Sequence, residues 1–239
     1  ADSVSDLVTT DGDREPVYRA KIKINGKYFC FNEMGQMQTG LQFIQEDRAF
    51  YYFDENGYMQ TGKEANVEDD DDAYNFYFIT KNGKNGQGQT GEKDGYLYFG
   101  GKRLEADDDY RVYYCDGKYW LVNNKGKIQS SESKKYDVEE LKFGTTSGTF
   151  KFEFNNDDSI EKVLDEDGNT IATLNAATDK ASEMAAKGIS IPYIALYDNY
   201  FSYDNGLRGT STTETALNKN TFAWYGVNAD ITAVPGWID

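Results

Sequence analysis

Histidine is absent from this chain of 239 residues. Its absence excludes the Ser-His-Asp and Cys-His nucleophile systems, and it removes the residue that most often binds metal ions. Carboxylates are plentiful, but a glycosidase needs two of them in one cleft with the pKa of one raised, and no pair in the sequence is marked in this way. We therefore expect a non-catalytic protein that needs no cofactor and no metal.

Positive charge is also scarce. Lys and Arg number 25 against 41 Asp and Glu, which gives a net charge of -16. Nucleic acid and anionic membrane surfaces repel such a chain, whereas neutral glycans and cations remain possible partners. Residues 189–197 form the best apolar run, and they are far fewer than the roughly twenty residues of a membrane helix, so we expect no membrane insertion.

Only two cysteines are present, too few for a disulfide framework. When the hairpins described below are aligned, Cys115 falls at the position of Phe53 and Cys30 at that of Tyr52. Neighbouring positions of a strand face opposite sides. We therefore expect both cysteines to be unpaired and to serve as small apolar side chains.

A short motif recurs through the first half of the chain. In each copy a few aromatic or β-branched residues precede a Gly, Asn or Asp turn and a second short strand, a pattern typical of a β-hairpin. The copies are GKYFCFNEMGQMQTG (26–40), AFYYFDENGYMQTG (49–62), YNFYFITKNGKNGQGQTG (74–91), the shortened DGYLYFGGKRL (94–104) and GKYWLVNNKGKIQSS (117–131). A hairpin of about twenty residues cannot bury a core alone, so we expect the hairpins to stack on one another.

The stretch FYYFDENGYMQTG (50–62) resembles the cell-wall-binding, or choline-binding-type, repeat family and its relatives, the glucan-binding repeats and the C-terminal repeats of large clostridial toxins. The resemblance covers residues 25–131. It implies that these hairpins form a solenoid with ligands, choline or sugars, held between successive hairpins. It also implies a secreted or surface protein of a Gram-positive bacterium, and the start at Ala1 suits a mature chain after removal of a signal peptide.

The residues of these repeats match the family's choline site poorly. A quaternary ammonium is held by aromatic faces, and Trp is the strongest partner. In the family one Trp follows the Thr-Gly pair and another opens the aromatic run, whereas here Leu, Lys and Glu follow the three Thr-Gly pairs and Phe50 opens the run of the second copy. We expect choline to bind weakly or not at all, with Phe50, Tyr51 and Met37 as a single partial site.

A carbohydrate site requires fewer aromatic side chains than a choline site. Sugars stack their C–H faces on Tyr or Trp while nearby polar groups, here Gln38 and Gln60, bind the hydroxyls. The aromatic anchors are expected beside the irregular repeats, where a ring has no neighbour stacked over it. These anchors are Tyr96, Tyr98, Tyr119 and Trp120.

Two functional classes follow. The first is a non-catalytic secreted or surface protein that binds cell-wall glycan or another polysaccharide through its repeats. The alternative is a structural spacer or adhesin, in which the aromatic residues are core and the repeats only present the C-terminal region.

Two acidic blocks, 68–72 and 105–109, lie between repeats. Runs of like charge are usually solvated loops, which is the interpretation we favour. Weak calcium binding is the alternative, because a hard cation requires several carboxylate oxygens. The acidic stretch DEDG at 165–168 is more simply explained as a hairpin turn.

After Ser131 the pattern changes. We expect a linker and a helical turn capped by Asp137, then a strand with alternating phenylalanines from Phe150, and a hairpin around 167–168. A helix is predicted over 176–187, capped by Asn175 and ended by Gly188, and a further strand follows from 189. The predicted fold is mainly β: a segment 1–24 that caps the repeats, a β-hairpin repeat solenoid over 25–131, and a small α+β C-terminal domain over 132–239.

Overall fold

A computed structural model describes residues 19–44, 46–47, 49–69, 72–81, 83–197 and 200–205. Over these residues the protein is mainly β, as predicted, with many antiparallel hairpin sheets and a single short helix. Residues 1–18 and 206–239 lie outside the described residues, and with them most of the segment expected to cap the repeats and the last part of the predicted C-terminal domain. No helix of the described part is long and apolar enough to cross a membrane.

The first repeats form two small antiparallel sheets. Their strands are β1 (Arg19–Ile24), β2 (Lys27–Asn32) and β3 (Met37–Gln38) in one sheet, and β4 (Gly40–Ile44) and β5 (Ala49–Phe53) in the other. β1 comes from the segment expected to cap the repeats, and it pairs along its whole length with β2. The first hairpin therefore has a partner strand on its N-terminal side.

The next repeats share a five-stranded sheet of order β6-β7-β10-β9-β8. Its strands are β6 (Gly62–Asp69), β7 (Asp72–Phe78), β8 (Gly91–Lys93), β9 (Tyr96–Phe99) and β10 (Lys102–Arg103). The last repeat is the hairpin of β11 (Tyr110–Cys115) and β12 (Lys118–Asn123). The short β10 lies between β7 and β9, so the shortened fourth copy (94–104) joins two hairpins instead of forming a separate layer.

The turns in three of the repeats follow one scheme. Asp54 Oδ1 accepts hydrogen bonds of 2.9 Å from the backbone N–H groups of Asn56 and Tyr58, and the N–H of Gly57 bonds to the Asp54 carbonyl at 2.8 Å. Asn32 and Asn123 make the same contacts in their own repeats. An Asn or Asp side chain that bonds to its own turn stabilises the turn locally. The Asn/Asp-x-x-Gly spacing therefore encodes the turn in these three repeats.

Successive hairpins are joined by backbone hydrogen bonds. Met59 donates to the carbonyl of Tyr28 at 3.0 Å, and Gly88 donates to that of Phe50 at 2.8 Å. Further along the chain, Ile128 donates to the carbonyl of Gly95 at 2.9 Å. The predicted stacking of hairpins is therefore made by the backbone as well as by the aromatic side chains.

The region after Ser131 contains a four-stranded antiparallel sheet, a short helix and a hairpin. The elements are β13 (Tyr136–Phe143), β14 (Thr146–Phe154), β15 (Ile160–Leu164), β16 (Thr170–Thr173), α1 (Ala181–Ala186), β17 (Pro192–Tyr197) and β18 (Tyr200–Asn205). The predicted strand with Phe150 is β14, and the predicted turn at 167–168 joins β15 to β16. The strand predicted from 189 is instead the two-stranded hairpin of β17 and β18.

The helical turn predicted at Asp137 is wrong. This segment is strand β13, in which Tyr136, Val138, Leu141 and Phe143 are buried. The register of β13 against β14 shifts between Val138 and Lys142. Between these two pairs β13 advances four residues and β14 only one, so β13 carries three extra residues. This irregularity spaces the buried positions unevenly and imitates the helical period.

The predicted helix is shorter than expected. Only α1 is helical, whereas Asn175 caps a separate turn: its side-chain oxygen accepts from the N–H of Ala177 at 3.1 Å. Gly188 ends the helix, as predicted, with φ +83°. A Cβ at Gly188 would lie 1.7 Å from the carbonyl oxygen of Glu140, so only glycine fits where the helix end meets β13.

One hydrophobic core spans the junction at Ser131. A single cluster of buried side chains includes Phe99 and Trp120 from the repeats and Phe150 and Met184 from the later elements. Polar contacts cross the same junction: Tyr114 N–H bonds to the Ser190 carbonyl at 2.9 Å. The last repeat is therefore packed against the region that follows it.

Both cysteines are unpaired in the structure and fully buried. Cys115 Sγ donates to the Tyr98 carbonyl at 3.3 Å, and burial raises the pKa of its thiol to about 12. Such a thiol remains protonated and unreactive near neutral pH. Both residues thus pack as small apolar side chains, as predicted.

Candidate functional site

A cavity of about 330 Å³ lies where β7, β10 and β11 meet the connection from Leu104 to Asp107. Its polar and aromatic lining is Tyr74, Lys102, Arg103, Glu105, Asp107 and Tyr113. Apolar side chains, among them Phe99 and Leu104, form the rest of the wall. The cavity combines aromatic rings with charged groups of both signs.

The connection that forms this wall is held at both ends. Leu104 donates to the carbonyl of Leu97 at 2.9 Å, and Ala106 donates to that of Asn123 at 3.1 Å. Both side chains are buried, whereas Glu105 between them is half-buried and Asp107 is exposed. Alternating burial of this kind is characteristic of an extended segment. The local sequence therefore places the carboxylates beside the cavity.

Lys102 joins the cavity to the acidic tip of a hairpin. Its Nζ atom lies 3.0 Å from Asp69 Oδ2 and 3.5 Å from the centre of the Tyr74 ring. Asp69 is only 8% exposed. A buried carboxylate is costly unless it has a cationic partner, so this contact fixes the Lys102 side chain in place.

Arg103 and Glu105 form the next pair. Arg103 Nε donates to Glu105 Oε1 at 2.6 Å, and its guanidinium carbon lies 5.3 Å from the centre of the Tyr96 ring. The hydroxyl of Tyr113 donates to the Glu105 backbone carbonyl at 2.6 Å. The orientation of both charged groups is therefore set by neighbours.

Asp107 is held by Arg111, which also binds Glu140. The Nη2 atom of Arg111 lies 2.8 Å from the Asp107 carboxylate and 2.9 Å from that of Glu140. Burial would raise the pKa of Glu140, but the hydrogen bond from Arg111 outweighs it and lowers that pKa. Glu140 thus remains ionised and holds the arginine in position.

This arrangement suits a ligand rich in hydroxyl groups. Carboxylates accept and guanidinium and ammonium groups donate hydrogen bonds, and each is already oriented by an ion pair. Because both signs are present and paired, the cavity has no strong preference for an anion or a cation. Among the described residues, no group of three or more Cys, Asp or Glu side chains is arranged to hold a metal ion.

Three of the predicted sugar anchors lie in the core. Tyr98, Tyr119 and Trp120 are 3%, 2% and 4% exposed. Trp120 Nε1 donates to the Cys115 carbonyl at 3.0 Å, and the Tyr119 hydroxyl donates to Asp179 at 2.7 Å. Burial, together with that hydrogen bond, raises the pKa of Tyr119. A sugar would reach these rings only after a rearrangement, so their role as ligand contacts stays a prediction.

Tyr96 is the predicted anchor that lies near the cavity. It is half-buried on β9, and the guanidinium of Arg103, a lining residue, lies over its ring. Tyr96 also bridges to Lys127 in the turn of the last repeat. Of the four predicted anchors, it is therefore the one connected to the candidate site.

A partial choline site was predicted at Phe50, Tyr51 and Met37. In the structure these side chains contact different neighbours. The Phe50 ring packs against Phe43 at 5.0 Å, and the Tyr51 hydroxyl donates to Asp47 at 2.7 Å. Both aromatic side chains are buried, whereas Met37 is 45% exposed. Whether these residues bind a ligand stays a prediction.

The glutamines expected to bind sugar hydroxyls make hydrogen bonds within the turns, and their contact with a sugar stays a prediction. Gln60 Nε2 donates to the Asp54 carboxylate at 2.9 Å and to the Tyr58 carbonyl at 2.8 Å. Gln38 makes the corresponding bond to the Gln36 carbonyl at 3.1 Å. The recurrent Gln of the motif thus belongs to the hairpin turn.

Sequence reasoning missed the cavity residues. Both acidic blocks were expected to be solvated, yet Asp69 of the first is buried against Lys102, and Glu105 and Asp107 of the second are paired with Arg103 and Arg111. Residues 70 and 71 lie outside the described part. The signal available in the sequence was the basic pair at 102–103 directly before an acidic block. Adjacent runs of opposite charge indicate ion pairing more than solvation.

No protein-family model and no curated protein matches the sequence. Among solved structures, the chain is similar to CbpJ from Streptococcus pneumoniae TIGR4, with 15% identity, 66% of this chain and 49% of that chain covered, and a TM-score of 0.36. It is also similar to choline binding protein F from Streptococcus pneumoniae, with 14% identity, coverage of 64% and 57%, and a TM-score of 0.35. A third is an alternansucrase in complex with isomaltononaose, with 18% identity, coverage of 86% and 18%, and a TM-score of 0.31.

The chain thus spans less than two thirds of the length of each of these solved chains. Choline-binding proteins stand among the structures to which it is similar, as the repeat sequence predicts. Since every TM-score is below 0.5, the function proposed below rests on this chain's own residues.

Proposed function

We propose that this protein is a non-catalytic, secreted or surface-exposed carbohydrate-binding module, and that the cavity beside Tyr74 holds a neutral segment of a cell-wall glycan or another polysaccharide. The observation that carries the proposal is the combination of the half-buried Tyr74 ring and oriented ion pairs around one cavity of about 330 Å³. Ligand sites typically start at about 300 Å³, so the space suits one or two sugar units.

The charge distribution supports a neutral ligand. The chain carries a net charge of -16, which disfavours polyanions at any distance shorter than the screening length. Within the cavity, Lys102 and Arg103 are each paired with a carboxylate, so neither offers an uncompensated charge to an anion. Hydroxyl groups, which both donate and accept, can use such pairs without breaking them.

The test compares two tyrosines in matched surroundings. Tyr74 lines the cavity, Tyr58 does not, and each ring has a lysine ammonium 3.5 Å from its centre, Lys102 and Lys27 respectively. We expect Tyr74→Leu to weaken retention on an insoluble glucan or on purified Gram-positive cell wall by about tenfold or more, since an aromatic anchor contributes on the order of 2 kcal/mol. Tyr58→Leu should retain wild-type binding. Equal retention of both variants would contradict the assigned site.

The structural spacer is the second candidate, and a specific observation favours it. Five of the seven predicted ligand contacts, Phe50, Tyr51, Tyr98, Tyr119 and Trp120, are less than 5% exposed. If the repeats only present the region after Ser131, the wild-type protein should show no retention on any glycan tested. A glycan array with the wild-type chain therefore separates the two functions before any variant is made.

A further inference from the structure

Lysine side chains of this chain place their ammonium groups over aromatic rings of the repeats. Lys102 Nζ lies 3.5 Å from the centre of the Tyr74 ring, and Lys21 Nζ lies 4.1 Å from that of Tyr51. An ammonium this close to an aromatic face is attracted by the ring quadrupole. The rings that would hold an external ammonium ion are therefore in contact with lysines.

In two of these contacts a carboxylate completes the surroundings of the ammonium. Asp69 Oδ2 lies 3.0 Å from Lys102 Nζ, and Asp47 Oδ2 lies 2.7 Å from Lys21 Nζ. The side chain of Asp69 is 6% exposed and that of Asp47 is 29% exposed. Each acid belongs to the tip of a hairpin, and each tyrosine lies on the outgoing strand of the same hairpin. The two sites therefore share one construction, here called the Tyr–Asp cage.

The polar contacts of the second cage are mutually consistent. Lys21 Nζ donates to the Tyr51 hydroxyl at 2.8 Å, and that hydroxyl donates to Asp47 at 2.7 Å. Burial would raise the pKa of Asp47, but hydrogen bonds from Lys21 and Tyr51 outweigh it and lower that pKa. The carboxylate is thus kept ionised by the cation in front of it.

We propose that the Tyr–Asp cages are ammonium sites whose ligand is a lysine of the same chain, Lys102 for Tyr74 with Asp69 and Lys21 for Tyr51 with Asp47. A tethered ligand acts at an effective concentration in the millimolar range or above. External ammonium ions, choline included, must displace it and therefore bind poorly. The hairpins are held together by these internal ligands, independently of any glycan in the cavity.

The first cage opens towards solvent once its lysine is removed. Lys102 is itself part of the lining of the cavity at β7 and β10, so its truncation to alanine joins the vacated space to that cavity. The Asp69 carboxylate remains buried, and the Lys102 ammonium no longer lies over the Tyr74 ring. An alkylammonium ion from solution then has both an entry path and the two groups that attract it.

The experiment measures thermal unfolding of wild type, Lys102→Ala and Lys102→Met in ethylammonium chloride, with sodium chloride at equal ionic strength as the salt control. Lys102→Ala should lower the Tm by about 5–10 °C, since a buried carboxylate loses its partner in a chain of this size. Ethylammonium at ~50 mM should restore at least about half of that loss in a saturable manner, because a ligand of the native state stabilises it by mass action. Lys102→Met removes the charge but fills the space, so it should gain nothing beyond sodium chloride.

Matched variants complete the test. Lys21→Ala probes the second cage away from the cavity and should also be rescued, whereas Lys63→Ala, an exposed lysine of β6, should show neither loss nor rescue. Wild type should show no shift in Tm with millimolar choline. A Lys102→Ala chain that folds only with ethylammonium present supports the proposal.

Absence of an ethylammonium effect in both alanine variants overturns the proposal, as does equal rescue of Lys102→Met. Since the readout is Tm, the outcome does not depend on whether the cavity binds a glycan.

Discussion

Three buried tyrosines of the core have hydroxyls that donate hydrogen bonds to specific partners. Tyr113 donates to the Glu105 carbonyl, Tyr119 to Asp179 and Tyr136 to the Ser131 carbonyl at 3.0 Å. A tyrosine can bury its ring in a stack of hairpins while its hydroxyl reaches a polar atom at the edge. These tyrosines are therefore structural, and the half-buried rings such as Tyr74 and Tyr96 are the ones accessible to a ligand from solution.

Trp120→Ala should destabilise the fold. Trp120 is 4% exposed and belongs to the cluster that spans Ser131, so its truncation should cost about 3–5 kcal/mol of the free energy of unfolding, measured by chemical denaturation. Tyr98→Ala should act in the same direction. Tyr96→Ala, at a half-buried position, is the control and should cost less. If Trp120→Ala instead kept its stability but lost glycan retention, Trp120 would be a ligand contact and not a core residue.

Asp157 gives a pH-dependent prediction. The hydrogen bond from Lys118, followed by that from Ser159, lowers the pKa of Asp157 to about 2. An unfolded Asp titrates near ~3.9, so its contribution to stability is complete above about pH 4 and is lost as the pH falls towards 2. Asp157→Asn should therefore lower stability at pH 7 and have a smaller effect at pH 3, both measured by urea unfolding. Because the carboxylate is 44% exposed, the effect should be small and should shrink in high salt.

At the scale of the elements, the turn of the repeats continues past the point where the sequence motif ends. Asp165 Oδ1 accepts from the N–H groups of Asp167 and Asn169 at 3.0 Å and 2.8 Å, and Gly168 has φ +92°, as in the turns at Asp54 and Asn123. β15 and β16, the strands on either side of this turn, contain no aromatic residue. The turn chemistry of the repeats is therefore used again after Ser131, independently of aromatic strands.

Methionines connect one repeat to the turn glycine of the next. A Cβ at Gly57 would lie 2.4 Å from Met37 Sδ, and one at Gly86 would lie 2.5 Å from Met59 Sδ. Both glycines have positive φ, +80° and +85°. The recurrent Met and Gly of the motif therefore act as a pair that sets the distance between hairpins.

Gly57→Ala should be more destabilising than Gly35→Ala. Both glycines have positive φ, +80° and +75°, but nothing lies within 4 Å of a Cβ at Gly35, whereas Met37 blocks one at Gly57. The two changes share the backbone strain of about 1 kcal/mol, so the difference in Tm reports the contact with Met37. Adding Met37→Ala to Gly57→Ala should recover part of the difference. Equal effects of the two glycine changes would mean that this packing contributes nothing.

At the scale of the whole molecule, the repeats and the region after Ser131 share their core. The contacts between β11 and Ser190, and the pair of Arg111 with Glu140, join elements far apart in sequence. Cutting the chain at Ser131 would expose Val112, Leu121 and their neighbours, which are now fully buried. The two regions should therefore unfold together.

Calorimetry tests this cooperativity. The intact chain should give one transition for the two regions, because cooperative unfolding follows from a continuous core. A fragment ending at residue 131 should melt at a lower temperature and bind a hydrophobic dye. Two well-separated transitions, or a fragment as stable as the whole chain, would show that the regions fold independently.

The sequence by itself determined the local structure of this protein. The Asn/Asp-x-x-Gly spacing specifies the turns at Asn32, Asp54, Asn123 and Asp165, and the runs of aromatic and β-branched residues before the turns of the repeats specify strands. Both signals depend on residues a few positions apart. The helix end at Gly188 and the hairpin at 167–168 follow from the same kind of local signal. The local sequence did not predict the bulge in β13, because the partner strand determines where extra residues are accommodated.

Only the tertiary structure decided which side chains are exposed. Tyr74 and Tyr98 carry similar local sequence signals, yet Tyr98 is buried against Tyr77 while Tyr74 lines a cavity. Likewise, nothing in the acidic blocks indicates that Asp69 would meet Lys102, since the two residues are brought together by the pairing of β10 with β7. Burial and ion pairing across hairpins depend on contacts distant in the chain, and a periodic sequence does not specify which repeat covers which ring.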